Sequence, residues 1–445
     1  MNNSKSDVIV IGAGTAGSVA AFMAAKKGLK TIILERKAKE DIGNKVCGDG
    51  IGSRHLEYLP SIGIKLDKNE IVHSYPEEAH IISPDNKHVD SFEITGKLTI
   101  LNRHAFGQTL LSAAVDAGAI LYEKMTLKSV SRNEINFEVR VKENSDLFRA
   151  KTIIDASGIN SWIREKSGFF PQAHLDWRDI YACYREVVRT PKKIGTPIVK
   201  FEFNQSITQG GYIWYFDRTD NEVNMGLGIP RHRIASLSPK TAYMNNISEK
   251  VPITEVLEGR GGIVPTRHLL ANLTNSQGIW LTGDAGLIVN PLHGGGIGSS
   301  IYSGHEAAIS AFEFLTDNKS PWNYNVKMFE NYGKRYAILD FFRLLLHKIT
   351  DVELNTCLHD NLLPIFYLFH AKYPVLEMIC EKYEEFWENA SIKLLQNLPN
   401  HIERMNKHLK EYPKEPGSTA TEWAKEYEQI YQSYQEANGL SDTPI

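Results

Sequence analysis

The sequence predicts an α/β protein with α+β elements, in which an antiparallel sheet is inserted into a βαβ domain and a helical region closes the chain. Three observations predict it. The chain opens with the apolar run Val8-Ile9-Val10-Ile11, a helix-like stretch over 16–27 stopped at Gly28, and a second apolar run over 31–34. Short, wholly apolar runs around an amphipathic stretch are the mark of buried parallel strands joined by a helix. Between about 170 and 275, β-branched and aromatic residues alternate with turn signals, so that 199–203, 212–216 and 223–229 read as strands of a separate sheet. Beyond residue 320 the pattern is helical to the end.

The connection after the first strand reads Gly12-Ala13-Gly14-Thr15-Ala16-Gly17 and opens the first helix. Gly12 allows a tight turn, Gly14 lets a pyrophosphate approach the backbone, and Gly17 permits close helix–strand packing. The helix N-terminus adds free N–H groups and partial positive charge for a diphosphate. Glu35 ends the second strand, 23 residues after Gly12, where its carboxylate can accept from the hydroxyls of an adenosine ribose. Strand, glycine turn, helix and acid together predict a Rossmann-like dinucleotide site. Ala16 and Arg36 stand beside these residues and are counted with them.

Further along, 134–141 alternates strictly, placing Ile135, Phe137, Val139 and Val141 on one face of a half-buried strand. A strand over 151–155 follows. The buried strand 279–282 then delivers Gly283-Asp284, and a helix is expected over 298–315. The first domain is therefore discontinuous: 1–75, 98–168 and 276–318. The inserted sheet takes 76–97 and 169–275, and the helical region 319–445.

Composition narrows the function. A formal net charge of -3 and the absence of a basic cluster argue against nucleic acid as a partner. Cys47, Cys183, Cys357 and Cys380 lack zinc-ligand or redox-pair spacing, so neither a metal site nor a disulfide framework is expected. No apolar leader precedes the first strand and no run is long enough to span a bilayer. A reducing, cytoplasmic setting is the expectation, with peripheral contact at the inner face of the membrane left open.

The late Gly283-Asp284 separates FAD from NAD. An acid delivered there suits the ribityl chain of a flavin held across the domain. Gly294-Gly295-Gly296 can lie flat against an isoalloxazine ring, and the helix from Ile297 would stabilise negative charge on the reduced ring. FAD is the expected cofactor.

At this point the chain resembles the geranylgeranyl reductase family, inside the fold class of p-hydroxybenzoate hydroxylase. The match is carried by the opening glycine turn, Lys45-Val46-Cys47-Gly48-Asp49-Gly50, Arg103 in Leu-Asn-Arg-His, and Gly210-Gly211-Tyr212-Ile213-Trp214-Tyr215-Phe216. It continues through Asn224-Met225-Gly226-Leu227-Gly228, the stretch 262–267, and 283–298. The family's aromatic segment usually continues with Pro, whereas Asp217 stands here. Flavin hydroxylases of this fold usually carry His two residues beyond Gly-Asp-Ala, whereas Gly286 and Leu287 follow here, which favours the reductases.

The resemblance implies that Cys47, Gly48 and Asp49 lie at the isoalloxazine, that Arg103 contacts the flavin diphosphate, and that Leu127 offers backbone atoms to the adenine. Cys47 is either a small residue in a tight turn or a thiol with a chemical use, which neighbouring Lys45 would push toward thiolate. Tyr212, Trp214 and Phe216 share one face of their strand. They are either the core of the second sheet or, as the resemblance implies, the wall of an apolar substrate tunnel, with Tyr212 and Trp214 close to the chemistry. His293 is either a proton donor or a positioning residue.

The function implied is reduction of isolated double bonds in geranylgeranyl chains of archaeal-type membrane lipids or their precursors. The electron donor would be ferredoxin, a deazaflavin or NAD(P)H. The alternative is an FAD-dependent monooxygenase or halogenase of a small aromatic. Two apolar stretches, 336–347 and 361–369, are either ordinary buried helix faces or the cap of the tunnel and a resting surface on the membrane.

Overall fold

The computed structural model describes residues 5–191, 195–219, 221–233 and 238–440. At its centre, strands run in the order Thr274–Asn275, Ile279–Leu281, Leu147–Asp155, Lys5–Ile11, Thr31–Leu34 and Ile120–Tyr122. Lys5–Ile11 is parallel to both neighbours, with Val10 opposite Ile154 on one side and Ile33 on the other. Val8, Ile9, Val10 and Ile11 are all buried, so both faces of the strand are covered and it reads as an unbroken apolar run. The helices Thr15–Lys26 and Ile297–Asp317 meet on this sheet at glycine distance, since a Cβ on Gly304 would lie 2.2 Å from the Ala16 carbonyl oxygen.

The alternating segment forms a shorter strand than its pattern predicts. Phe137–Val141 pairs with Leu147–Asp155, and Phe137, Val139 and Val141 are buried. Ile135 is 70% exposed. The Asn133 side chain accepts from the N–H groups of Ile135 and Asn136 and closes a turn there. Local side-chain capping of the backbone overrides the alternation at that end.

A second sheet of seven strands runs Glu255–Pro265, Ile180–Arg189, Glu222–Pro230, Ile213–Thr219, Ile198–Glu202, Glu78–Ile82 and Val89–Glu93. Neighbours are antiparallel except Ile198–Glu202 and Glu78–Ile82. One face carries Tyr184, Val188, Ile213, Met225 and Leu227, packed with Ala242 and Tyr243 of the helix Pro239–Asn246. The other presents Tyr212, Trp214, Phe216, Asn224, Gly226 and Gly228 toward the loop after the second parallel strand. Asp217 does not end the strand, which continues to Thr219; its carboxylate accepts from the Ile198 N–H at 3.0 Å.

The rest of the chain is helical. Helix Lys334–Leu346 is buried from Tyr336 to Leu346. Of the two alternatives for 336–347, the buried helix face holds: the stretch is apolar because it lies in the core. Its Asp340 and Arg343 are paired inside, with each other and with His268 and Asp179. The helix Ser418–Ala437 closes over it through Tyr431 and Tyr434. Among the described residues no helix is long and apolar enough to cross a membrane.

Candidate functional site

Two helix N-termini and two loops converge at the carboxyl ends of the parallel strands, the position at which sheets of this type hold ligands. Gly12 has φ +95°, and a Cβ there would lie 2.5 Å from the Ala156 carbonyl oxygen. Gly17 is tighter still, its Cβ position 1.9 Å from the Gly12 oxygen. Gly14 differs from both: nothing lies within 4 Å of a Cβ built on it. Two glycines thus serve packing, and the third faces open space at the start of a helix.

Arg103, the first residue of helix Arg103–Asp116, is only 9% exposed and reaches Thr15 Oγ1 from Nη2 at 3.4 Å. Its Nε and Nη1 are buried without a hydrogen-bond partner, and so is the Ser157 hydroxyl. Buried guanidinium N–H groups rarely stay unpaired. Open space at Gly14 with orphaned donors near Thr15 fits a diphosphate. Glu35 is buried, accepting from the Ala13 N–H at 2.6 Å and the Lys37 N–H at 2.8 Å, which leaves each oxygen a free lone pair for a ribose hydroxyl. Arg36 is exposed beside it. Leu127 is half-buried at the start of strand Leu127–Arg132; the N–H that reaches the Glu35 carbonyl belongs to Met125.

Gly283, at φ +56°, lies between the two helix starts, its Cβ position 3.0 Å from Ala16 Cβ and 3.1 Å from Ser300 Oγ. Asp284 follows, 11% exposed at its side chain, and pairs with Lys45 Nζ at 2.7 Å. A Cβ on Gly296 would lie 3.6 Å from Asp284 Oδ1, so the acid sits at the N-terminal cap of helix Ile297–Asp317, where the buried Ile297 begins the turn. Gly294 (φ +69°) and Gly295 form the loop before it. The Asn290 side chain accepts from the N–H groups of Leu292 and His293, and Gly295 N–H donates to His293 Nδ1 at 3.1 Å. Burial, then the charges of Arg335 and His370, hold the His293 imidazole down to about 3, so it is neutral.

The loop around Cys47 lies directly on the aromatic strand. A Cβ on Gly48 would come 2.9 Å from the Phe216 ring. Asn224 ties the two together: it donates to the Cys47 carbonyl at 2.8 Å and to Asp49 Oδ2 at 2.7 Å, and accepts from Trp214 Nε1 at 3.0 Å. Asp49 is buried at φ +67°, with Arg218 Nε 3.7 Å from its carboxylate. Neither charge beside Cys47 is enough to favour a thiolate over the thiol. Burial pushes its thiol up, outweighing the positive charge of Arg103, and Lys45 is engaged by Asp284. Cys183, in register with Gly228 and Gly262 on the same sheet, is likewise pushed up by burial to about 12.

Trp214 and Phe216 are buried, and Tyr212 is half-buried, donating from its hydroxyl to the His293 carbonyl at 2.7 Å. Phe201 packs against Tyr212 and Phe216 at 5.5 and 5.2 Å between ring centroids. Phe369, from helix Ile365–His370, covers this cluster, 5.3 Å from both Phe201 and His293. Cys47, Cys183, Tyr212 and His293 each keep part of their surface free. Asn224 and Arg164 have no individual role in the sequence analysis, and Phe369 enters it only as the end of the stretch 361–369, a buried helix face or the cap of the tunnel. Asn224 lies in the quoted motif, but its side-chain partners are far away in sequence. Arg164 is wholly buried and donates to the Ala285 carbonyl at 2.7 Å; no spacing announces it.

The description "geranylgeranyl reductase catalytic domain" matches residues 179–264, and "FAD binding domain" matches 5–185. A digeranylgeranylglycerophospholipid reductase of Sulfolobus acidocaldarius is 32% identical over 374 residues, covering 80% of each chain. One from Methanopyrus kandleri is 33% identical over 321 residues, covering 69% of this chain and 81% of its own. The crystal structure of a geranylgeranyl bacteriochlorophyll reductase-like protein from Thermoplasma acidophilum aligns with a TM-score of 0.74 at 24% identity, over 86% of this chain and 100% of that one. A flavin-dependent brominase aligns with a TM-score of 0.65 at 15% identity, over 91% and 100%. The last two likenesses are of fold.

Proposed function

This chain belongs to the geranylgeranyl reductase family, and from that premise we propose that it saturates isolated double bonds of geranylgeranyl chains at the junction of the Cys47 loop and the aromatic strand. It is an FAD-dependent oxidoreductase acting on carbon–carbon double bonds. The observation that carries the site is the Asn224 link, which fixes the indole of Trp214 and the Cys47–Asp49 loop as one unit.

When bound, reduced FAD would supply the hydride. The residues supply the setting. Gly14, Arg103 and Ser157 would hold the diphosphate, Glu35 the ribose, and Asp284 with Gly294, Gly295 and Gly296 the ribityl and ring end. Domain limits of 1–75, 98–168 and 276–318 agree with the pairing of 78–82 and 89–93 within the second sheet, whereas Thr274–Asn275, given to the inserted sheet, pairs in the first. An isolated alkene has no carbonyl to polarise it, so positive character develops on one carbon as hydride arrives at the other. The face of Trp214 eases that charge, and Phe201, Phe216 and Phe369 exclude water. Cys47, held as a neutral thiol by burial, keeps its proton and stands where one is needed. His293 positions Tyr212 through its carbonyl. The monooxygenase or halogenase alternative rests on fold likeness alone.

The electron donor is external to the chain: ferredoxin, a deazaflavin or NAD(P)H. Helix Ile365–His370 caps the aromatic cluster on one side, and Tyr367 is 55% exposed on the other. Val375 and Met378 of the following helix are also exposed. This apolar strip is the surface on which the protein rests against the cytoplasmic face of the membrane to collect its substrate. Anaerobic addition of a geranylgeranyl lipid to the dithionite-reduced protein tests the assignment: the flavin spectrum returns to the oxidised form. A flavin that stays reduced refutes it.

A further inference from the structure

An apolar wall accounts for the prenyl chain. At its edge stands a group of cations that nothing above employs. Arg335, on helix Lys334–Leu346, donates from Nη2 to the Phe369 carbonyl at 2.6 Å, and its Nε is buried with no hydrogen-bond partner. His370 is the next residue after Phe369. On a second lip, Ser53 N–H donates to the Lys97 carbonyl at 2.9 Å, and exposed Arg54 follows. Arg54 Nε lies 3.4 Å from His55 Nε2, and Lys97 Nζ meets only a backbone carbonyl, that of Glu93, at 3.3 Å. Among the described residues, none of Arg54, Lys97 and Arg335 forms an ion pair with a carboxylate.

The two lips are adjacent: the ring of Tyr58, one turn beyond Arg54, lies 6.2 Å from that of Tyr302, which lies 5.7 Å from Tyr332, one turn before Arg335. Burial first, then Arg54 and Arg335, hold the His55 imidazole down to about 4. Burial again, then Arg335, Lys97 and Arg54, lowers that of His370, although its bond to the Phe366 carbonyl works the other way. Like charges gathered beside a buried, unpaired guanidinium N–H raise the energy of the free protein. A multiply charged oxyanion would lower it by supplying the missing acceptors, which a guanidinium fork suits geometrically. The flavin diphosphate does not meet this need, because its fit is at Gly14 and Arg103, on other helices.

We infer that Arg54, Lys97 and Arg335 seat the phosphate-class head of the lipid substrate, whose chain then passes Phe369 to Trp214. The inference rests on the geranylgeranyl reductase reading and adds the chemistry of the substrate's polar end. A free prenyl diphosphate and the phosphate of a prenyl ether lipid share that chemistry.

Steady-state reduction by dithionite-reduced holoenzyme separates the alternatives. The probes are geranylgeranyl diphosphate, digeranylgeranylglyceryl phosphate and geranylgeraniol. In the native protein at least one phosphate-bearing probe should show a KM at least about tenfold below that of the alcohol, and which one identifies the source of the anion. Arg54→Gln and Arg335→Gln should raise that KM about tenfold while leaving the KM of geranylgeraniol in place, with FAD content unchanged. Arg54 is exposed, so its replacement keeps the test valid even if Arg335→Gln folds poorly. Equal KM values for the phosphates and the alcohol in the native protein overturn the seat, as do variants that weaken the alcohol as much as the phosphates. If none of the three probes is reduced, the family reading beneath the inference falls with it.

Discussion

Asn224 fixes the indole of Trp214: the indole N–H donates to its side-chain oxygen at 3.0 Å, while the same amide donates to the Cys47 carbonyl and the Asp49 carboxylate. One side chain thereby sets the height of the Cys47 loop above the aromatic strand. Asn224→Leu would leave a buried N–H and a buried carboxylate without that partner. Each such loss costs roughly 1–3 kcal/mol, so the free energy of unfolding should fall by about 2–6 kcal/mol, read as a lower denaturation midpoint with an unchanged slope. Equal stability in urea would show that the loop and strand are held by something else.

Gly14 and Gly17 should separate flavin binding from folding. Gly14→Val places its side chain in open space, at a φ of -68° that valine tolerates. The apoprotein should keep its Tm while the purified protein loses its flavin absorbance. Gly17→Ala meets the Gly12 oxygen and should lower the Tm of the apoprotein itself. Full flavin occupancy in Gly14→Val would remove the diphosphate from that turn.

Cys47 should behave as a protonated thiol. Its burial raises the pKa, and the thiolate is the reactive form. Alkylation by iodoacetamide at pH 7 should be slower than for free cysteine, and Cys47→Ala should keep FAD while slowing alkene reduction. Rapid alkylation with unchanged turnover in the alanine variant would reduce Cys47 to a turn residue.

These residues differ in how far the sequence reveals them. Gly12, Gly14, Gly17, Glu35, Gly283 and Asp284 are legible because a strand, a turn and a helix start must follow one another in fixed order. The aromatic strand is legible by its two-residue period. The period cannot say what covers the strand, and Phe369 does so from more than 150 residues away. Nor can an apolar run show whether it faces lipid or core, and 336–347 lies in the core because Asp340 and Arg343 find buried partners. Arg54, Lys97 and Arg335 share no spacing; only the fold makes them neighbours.

The buried pair of His268 and Asp340, 2.7 Å apart, should give stability a pH optimum. Burial opposes charge on His268, but the Glu428 and Asp340 carboxylates raise its pKa overall. A raised histidine contributes stability that is full below about 6.5 and lost as pH rises through its folded value. Asp340 is lowered, against its burial, chiefly by Arg343 and His268, so its contribution is present above about 4 and lost on acidification. The Tm should therefore fall on both sides of mildly acidic pH, and His268→Gln should flatten the alkaline limb. An identical alkaline limb in that variant would exclude the pair as its source.

Replacing Tyr367, Val375 and Met378 together by Ser should abolish flotation with liposomes without changing turnover on a detergent-solubilised substrate. All three are exposed, so the fold should be unaffected. Undiminished flotation would move the membrane contact elsewhere on the surface.

The central claim is that this chain reduces isolated prenyl double bonds with FAD at the Trp214 face. The most direct measurement is mass spectrometry of geranylgeranyl lipid after anaerobic incubation with the dithionite-reduced holoprotein, beside the same protein stripped of FAD. Products heavier by two hydrogens for each saturated bond should form only with FAD, and in much lower yield with Trp214→Ala. Lipid recovered unchanged from the reduced, FAD-loaded protein would contradict it.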